Sequence, residues 1–219
     1  MTGLDVDVTR AESALGIETL GAMEASGLLG RDGSQVRAQV ALTPVGDLAF
    51  ASDLPERHRS RAADYVLGAG GVTRRLADFT MRTPVDSALD LGCGAGILAG
   101  LAAAHARRVV ATDINPRAVA FSRFNAELND LAHMESHEGS LFEPVRGERF
   151  DLIVCNPPYV ISPGSTYLYR DGGTELCRSI VREAAEHLSP SGTLQMLVEW
   201  PERDGRDWRR HRRGDRLLG

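Results

Sequence analysis

The sequence predicts a doubly wound, mostly parallel α/β sheet preceded by a small helix-plus-hairpin appendage. Three observations carry this. From residue 66 onward short apolar strands alternate with helical patterns, the order that builds parallel crossovers. The run at residues 150–155 is almost wholly apolar, as a strand covered on both faces must be. The 219 residues, 42% hydrophobic and 25% charged, suffice for one main core with a modest addition.

The first elements are helical. Thr9 and Glu12 have capping-box spacing, and Leu15, Ile17, Leu20 and Met23 are spaced apolar residues, so one or two short helices are expected to end near Gly27. Val36, Ala38, Val40 and Leu42 then alternate with other residues, and a second run at residues 48–52 comes after Pro44-Val45-Gly46-Asp47, which predicts a hairpin. Helix and hairpin together suggest a winged-helix-like piece over residues 1–65 that docks on the sheet unit, with residues 53–63 as a polar linker. Strands are predicted at residues 87–91, 108–112, 134–138, 150–155 and 193–200. The intervening helices are placed at residues 97–105, from Pro116 behind an Asn115 cap, and along Leu176, Ile180, Ala184 and Leu188. The sheet unit spans residues 66–200, and residues 201–219 form an arginine-rich tail.

Composition removes several functional classes. The longest apolar stretch, residues 96–104, is half the length of a membrane-spanning helix, and the N-terminus is acidic where a secretory signal would be basic, so a cytoplasmic location without a membrane partner is expected. Net charge is −5. The tail holds seven arginines against four acids, which leaves the first 200 residues at −8, without a basic field for long nucleic acid. All 25 basic residues are arginine, a uniformity that points to genome composition rather than to single sites. Cys93, Cys155 and Cys177 are odd in number and lack Cys-x-x-Cys spacing, and the six histidines show no ligand spacing; free thiols and no metal are expected.

Three segments point to chemistry. Asp90-Leu91-Gly92-Cys93-Gly94-Ala95-Gly96 sits where the first strand of the sheet meets its helix, and glycines there let a ligand approach main-chain N–H groups. A tight turn with no ligand would also explain them. The spacing is not that of a dinucleotide site, which would need glycine at Ile97. Asp113 ends the second strand, 19 residues after Gly94, where an acid can accept both ribose hydroxyls of a nucleoside. The third segment, Asn156-Pro157-Pro158-Tyr159, leaves an apolar strand. Each proline holds the residue before it extended, so the Asn156 side chain and the Pro157 carbonyl are stiffly presented acceptors, and Tyr159 can stack on a planar group. Two acceptors suit the two N–H groups of an amide or exocyclic amine, whose lone pair is otherwise delocalised. Catalysis there would rest on orientation and fixed dipoles.

On these residues the chain from about Val66 to Trp200 resembles the class I S-adenosylmethionine-dependent methyltransferases, in the Asn-Pro-Pro-Tyr branch that methylates planar nitrogens. Within that branch the likeness is to the release-factor glutamine N5-methyltransferase (HemK-like) family. It implies a Rossmann-like methyltransferase fold, with S-adenosyl-L-methionine as cofactor. The Gly92, Cys93, Gly94, Ala95, Gly96 turn would hold its methionine part and Asp113 its ribose, with Asp90, Ile114, Asn156 and, on the adenine side, Ser140 and Leu141 also at the cofactor. Asn156, Pro157 and Tyr159 would be catalytic, and with Pro158 would bind substrate. Two features depart from the pattern. Gly139-Ser140-Leu141 stands where such enzymes carry Gly-Asp before a hydrophobic residue. Only 19 residues come after Trp200, too few for the sixth and seventh strands, so a C-terminus lacking them is expected, with the fifth strand an exposed edge.

The expected activity is N-methylation of a glutamine side-chain amide in a protein such as a translation factor. The alternatives are N-methylation of a nucleic-acid base (adenine N6 or guanine N2 in RNA, the ribosome or DNA) and an inactive cofactor-binding module. Tyr167, Tyr169 and Arg170 fall in a loop that would cover the substrate or simply face solvent.

Overall fold

The computed structural model describes residues 4–55, 57, 62–158 and 173–198. Tyr159, Tyr167, Tyr169, Arg170, Trp200 and the arginine-rich tail lie outside the described residues.

The N-terminal part runs β1 (Asp5–Asp7), α1 (Val8–Leu15), α2 (Ile17–Ala25), β2 (Leu29–Asp32) and β3 (Gln35–Ala38), and its three strands form a sheet in the order β1-β3-β2. The cap of α1 is Asp7, whose carboxylate accepts the Thr9 amide at 2.9 Å, so Thr9 does not begin a capping box. Ala11 and Leu20 of the helices pack against Leu29, Val36 and Ala38 of the sheet. The single strand expected through residues 36–42 is two. Gln39 donates its amide to the Leu28 carbonyl, and the chain then leaves the first sheet for the hairpin of β4 (Val40–Val45) and β5 (Leu48–Asp53).

A helix that the sequence did not announce, α3 (Gly71–Phe79), precedes the main sheet. The sheet comprises β6 (Val85–Leu91), β7 (Ala106–Asp113), β8 (Met134–Glu138), β9 (Phe150–Cys155) and β10 (Leu188–Met196) in the order β10-β9-β6-β7-β8, every neighbouring pair parallel. Its crossovers carry α4 (Ile97–Ala102), α5 (Pro116–Leu128) and α6 (Gly173–His187). Side chains of the central strands alternate between two cores with the period of two that a pleated strand imposes. Ala88, Val109, Ala111, Leu152 and Val154 pack with Leu98, Ala99 and Ala102 of α4. On the other face Leu89, Leu91, Val110, Ile153 and Cys155 pack with Ile180 and Ala184 of α6.

Two boundaries differ from expectation. Helix α4 stops at Ala102, because the His105 amide turns back to the Ala102 carbonyl and β7 already begins at Ala106. Strand β10 starts at Leu188 rather than residue 193, with the register shifting between Leu188 and Thr193, so Pro190-Ser191-Gly192 is an irregularity within the strand. Asp151 secures that end of the sheet, accepting Ser189 Oγ at 2.6 Å and the Ser87 and Asp86 amides at 3.1 Å. These bonds hold its carboxyl below the usual range.

The β4–β5 hairpin is fastened to the main sheet by α5. Asn125 Oδ1 accepts the Ala51 amide at 2.7 Å and its Nδ2 donates to the Ala51 and Ala95 carbonyls. Asn129 treats Ala49 in the same way. The two side-chain amides thus replace a missing neighbour strand for the outer edge of β5. No helix among the described residues is long and apolar enough to cross a membrane.

Candidate functional site

The strand order reverses direction beside β6, whose neighbours β7 and β9 lead away to opposite edges. In open α/β sheets the crevice outside the carboxyl ends of the strands at such a switch point is where ligands bind. A cavity of about 600 Å³ opens there. The ends of β6, β7 and β9 and the turn after β8 supply its floor, through Gly92 to Ala95, Thr112 to Asn115, Gly139 to Leu141 and Asn156 to Pro158.

The glycine turn is pinned from below: the amides of Gly92 and Cys93 both donate to the Thr112 carbonyl, at 2.8 and 2.9 Å. Gly92 and Gly94 have φ of +73° and +53°, and a Cβ at either would meet nothing within 4 Å, so both turn bare backbone toward open space. Gly96 differs. It also has positive φ, +75°, but a Cβ there would meet Ser122 Oγ at 2.5 Å and Met134 Cε at 3.0 Å, and it does not line the cavity. It is a packing glycine at the start of α4.

Asp90, also expected at the ligand, lies 1% exposed beneath the turn and outside the lining. Its Oδ2 accepts the Ala99 amide at 2.9 Å, so it caps α4, whose N-cap Gly96 has no side chain to do so. Its Oδ1 is buried without a hydrogen-bond partner among the described residues. Burial first, and then the charge of Asp113, push the Asp90 carboxyl up to about 7, against the pull of the Ala99 amide.

Asp113 stands at the cavity. Its Oδ2 accepts the Gly94 amide at 2.8 Å and its Oδ1 the Asn115 amide at 2.9 Å, which ties the glycine turn to the end of β7. Burial raises its carboxyl, and the amides of Asn115, Gly94 and Ile114 pull it back. A carboxylate offers about four acceptor directions, so acceptance remains for ligand hydroxyls. Ile114 is 57% exposed. The turn carrying Ser140 and Leu141 is held against β7 by Gly139 N–H to the Asp113 carbonyl at 3.0 Å and Thr112 Oγ1 to the Leu141 carbonyl at 3.2 Å.

Asn156, Pro157 and Pro158 line the cavity where β9 ends, beside the glycine turn at the end of the neighbouring β6. Asn156 Oδ1 is buried and has no hydrogen-bond partner among the described residues. A buried acceptor left unpaired costs about 1–3 kcal/mol. That cost is met where the missing partner is a ligand. Tyr159, expected beside them, lies outside the described residues.

Cys93 lines the cavity, and Leu91 and Cys155 are directly paired across β6 and β9. Burial and the charges of Asp90 and Asp113 drive both thiols up, so neither is a thiolate nucleophile. Cys177 is also free and buried.

Sequence reasoning missed one whole wall, residues 65–73, together with Leu176 of α6. The run Gly68-Ala69-Gly70-Gly71 was the signal available, since close main-chain approach to a cavity favours small residues.

Residues 73–202 match the family model described as methyltransferase small domain. The chain belongs to this family. It is 35% identical over 157 residues to the ribosomal protein uL3 glutamine methyltransferase of Bradyrhizobium diazoefficiens, covering 64% of this chain and 49% of that protein. It is 38% identical over 125 residues to the release factor glutamine methyltransferase of Geobacter sulfurreducens, covering 49% and 43%. The chain spans about half the length of the curated relatives it matches. Among solved structures, the 16S rRNA N2 G1207 methyltransferase of T. thermophilus aligns over 87% of this chain and 54% of its own with a TM-score of 0.52, at 18% identity, which shows the shared fold.

Proposed function

We propose that this methyltransferase small domain moves a methyl group from S-adenosyl-L-methionine to the side-chain amide nitrogen of a glutamine in a protein of the translation apparatus. The observation that carries the proposal is Asn156, whose Oδ1 is buried without a hydrogen-bond partner among the described residues, lining the same cavity as the bare glycine turn.

The cavity fits the cofactor. Gly92 and Gly94 leave an open cradle that any Cβ would partly fill, and Asp113 presents a carboxylate with spare acceptor capacity beside it. Gly92, Cys93, Gly94 and Ala95 would hold the methionine part, Asp113 and Ile114 the ribose side, and Ser140 and Leu141 the base. When bound, the cofactor supplies an electrophilic methyl group.

The chain's own residues do the rest. Asn156 Oδ1 accepts one N–H of the target amide and the Pro157 carbonyl the other, which fixes the nitrogen in place and favours a pyramidal geometry with its lone pair free. Pro157 and Pro158 keep these acceptors from swinging away. No strong base is required, because the amide nitrogen sheds its proton after the methyl has arrived. Buried Asp90 supports the turn rather than the reaction. A glutamine acceptor is supported by the relatives named for uL3 and release-factor glutamine, and by the −8 charge of the first 200 residues, which suits a protein better than extended nucleic acid.

Substitution of Asn156 tests this. Asn156→Ala should lower kcat by about a hundredfold or more while S-adenosylmethionine affinity stays within a few-fold, the pattern of a group that acts on the reacting nitrogen. Equal loss of both would make Asn156 a structural residue and overturn the proposal.

A further inference from the structure

Asp53, the last residue of β5, is 3% exposed and grips two walls of the cavity at once. Its Oδ2 accepts the Val66 amide at 2.8 Å, and its own amide donates to the Val66 carbonyl at 3.2 Å. The chain that continues into Leu67 and Gly68 is thereby fixed to the hairpin. On the other side, Asp53 Oδ1 accepts Arg117 Nη2 at 2.5 Å, and Arg117 Nε lies 3.2 Å from both carboxylate oxygens.

Arg117 sits in the first turn of α5 directly behind the Asp113 loop. Its amide is held by the Asn115 cap at 3.0 Å, and the Asn115 amide in turn donates to Asp113 Oδ1. Asn115 Nδ2 closes the circuit by donating to the Asp64 carbonyl at 3.1 Å. One buried carboxylate therefore joins the wall of residues 64–68 to the wall of residues 113–115. It comes from a hairpin that precedes residue 73, where the family match begins.

Cohesion alone does not call for this arrangement. Phe50, Ala51, Val66, Ile97 and Phe121 already bury the hairpin against the sheet unit, and an ion pair that takes a carboxylate such as Asp53 out of water contributes little net stability once the desolvation is counted. What a bidentate Arg–carboxylate pair adds is a fixed geometry. We infer that Asp53 and Arg117 form an ionic clamp that sets the spacing of these two walls, and that they are positioning residues for cofactor binding without touching the cofactor. The inference rests on the cavity being the S-adenosylmethionine site.

Binding of S-adenosylhomocysteine to the full chain, followed by steady-state kinetics, tests it. Asp53→Asn and Arg117→Gln should each weaken S-adenosylhomocysteine binding by about tenfold, and the double variant by no more than about threefold beyond the weaker-binding single, because both cut the Asp53–Arg117 contact and Asp53→Asn additionally loses only the longer, 3.5 Å pairing with Arg57. The KM for S-adenosylmethionine should rise in step while kcat at saturation stays within about threefold, a split that general loosening would not give. Arg117 is part-exposed, so its variant keeps the test alive if Asp53→Asn fails to fold. Affinity within about twofold of wild type in folded Arg117→Gln, or kcat falling as far as affinity, would overturn the clamp. A wild-type chain that binds no S-adenosylhomocysteine would overturn the site itself.

Discussion

Two oxygens at the site, Asp90 Oδ1 and Asn156 Oδ1, are buried and unpaired among the described residues, and they stand for different things. Asn156 lines the cavity and is proposed to hold the target nitrogen, whereas Asp90 is sealed beneath the glycine turn. Its carboxyl, raised from 3.8 to about 7, binds a proton in the folded chain at a pH where the unfolded chain has lost it. The stability it contributes is therefore full below the unfolded pKa and is lost as pH rises through the folded one. Relative to Asp90→Asn, the ligand-free wild type should lose stability progressively as pH rises from about 4 towards 7 and level off above. Denaturant unfolding of both proteins across that range checks it, and a difference independent of pH would show Asp90 to be ionised throughout. The motif around Asp90 was legible in sequence, but the roles inside it were not. Nothing in Gly92-Cys93-Gly94-Ala95-Gly96 says that the first two glycines face open space while the third packs on Ser122, because that depends on a helix 26 residues further along.

At the scale of elements, the central strands were legible because burial on both faces leaves an unbroken apolar signature, and the cap of α5 because Asn115-Pro116 is a strong local signal. The elements that eluded sequence reasoning depend on contacts distant in the chain. Alternation runs smoothly through residues 36–42 although the strand changes sheets at Gln39, and Pro190-Ser191-Gly192 has turn composition although β9 holds it as an irregular stretch of β10. The same holds for Asn125, which reads as an ordinary polar residue of a helix yet completes the edge of β5. Asn125→Ala would leave the Ala51 amide and carbonyl and the Ala95 carbonyl without partners in a buried site, and should destabilise the chain by at least about 2 kcal/mol in urea unfolding. A cost below about 0.5 kcal/mol would mean that water or a shifted strand satisfies these groups.

Over the whole molecule, the site is assembled from both sides of the point where the family match begins. The floor comes from strand ends within residues 73–202, where local motifs announced it, and the missed wall comes largely from residues 65–72, placed by the hairpin and the Asp53–Arg117 pair. Beyond the small-residue run at residues 68–71 that wall carries no motif, because its position is set by partners far along the chain. The proposed activity joins these parts: an open glycine cradle and Asp113 on one side, and stiffly held acceptors waiting for a planar nitrogen on the other. The most direct test is transfer of labelled methyl from S-adenosylmethionine by the full chain into a cell extract, with the product divided between protease and nuclease digestion and the labelled residue identified. Label that is lost to protease and resides on a glutamine side-chain amide is the result predicted here. Label lost to nuclease, or no label from a chain shown to bind S-adenosylhomocysteine, would contradict it.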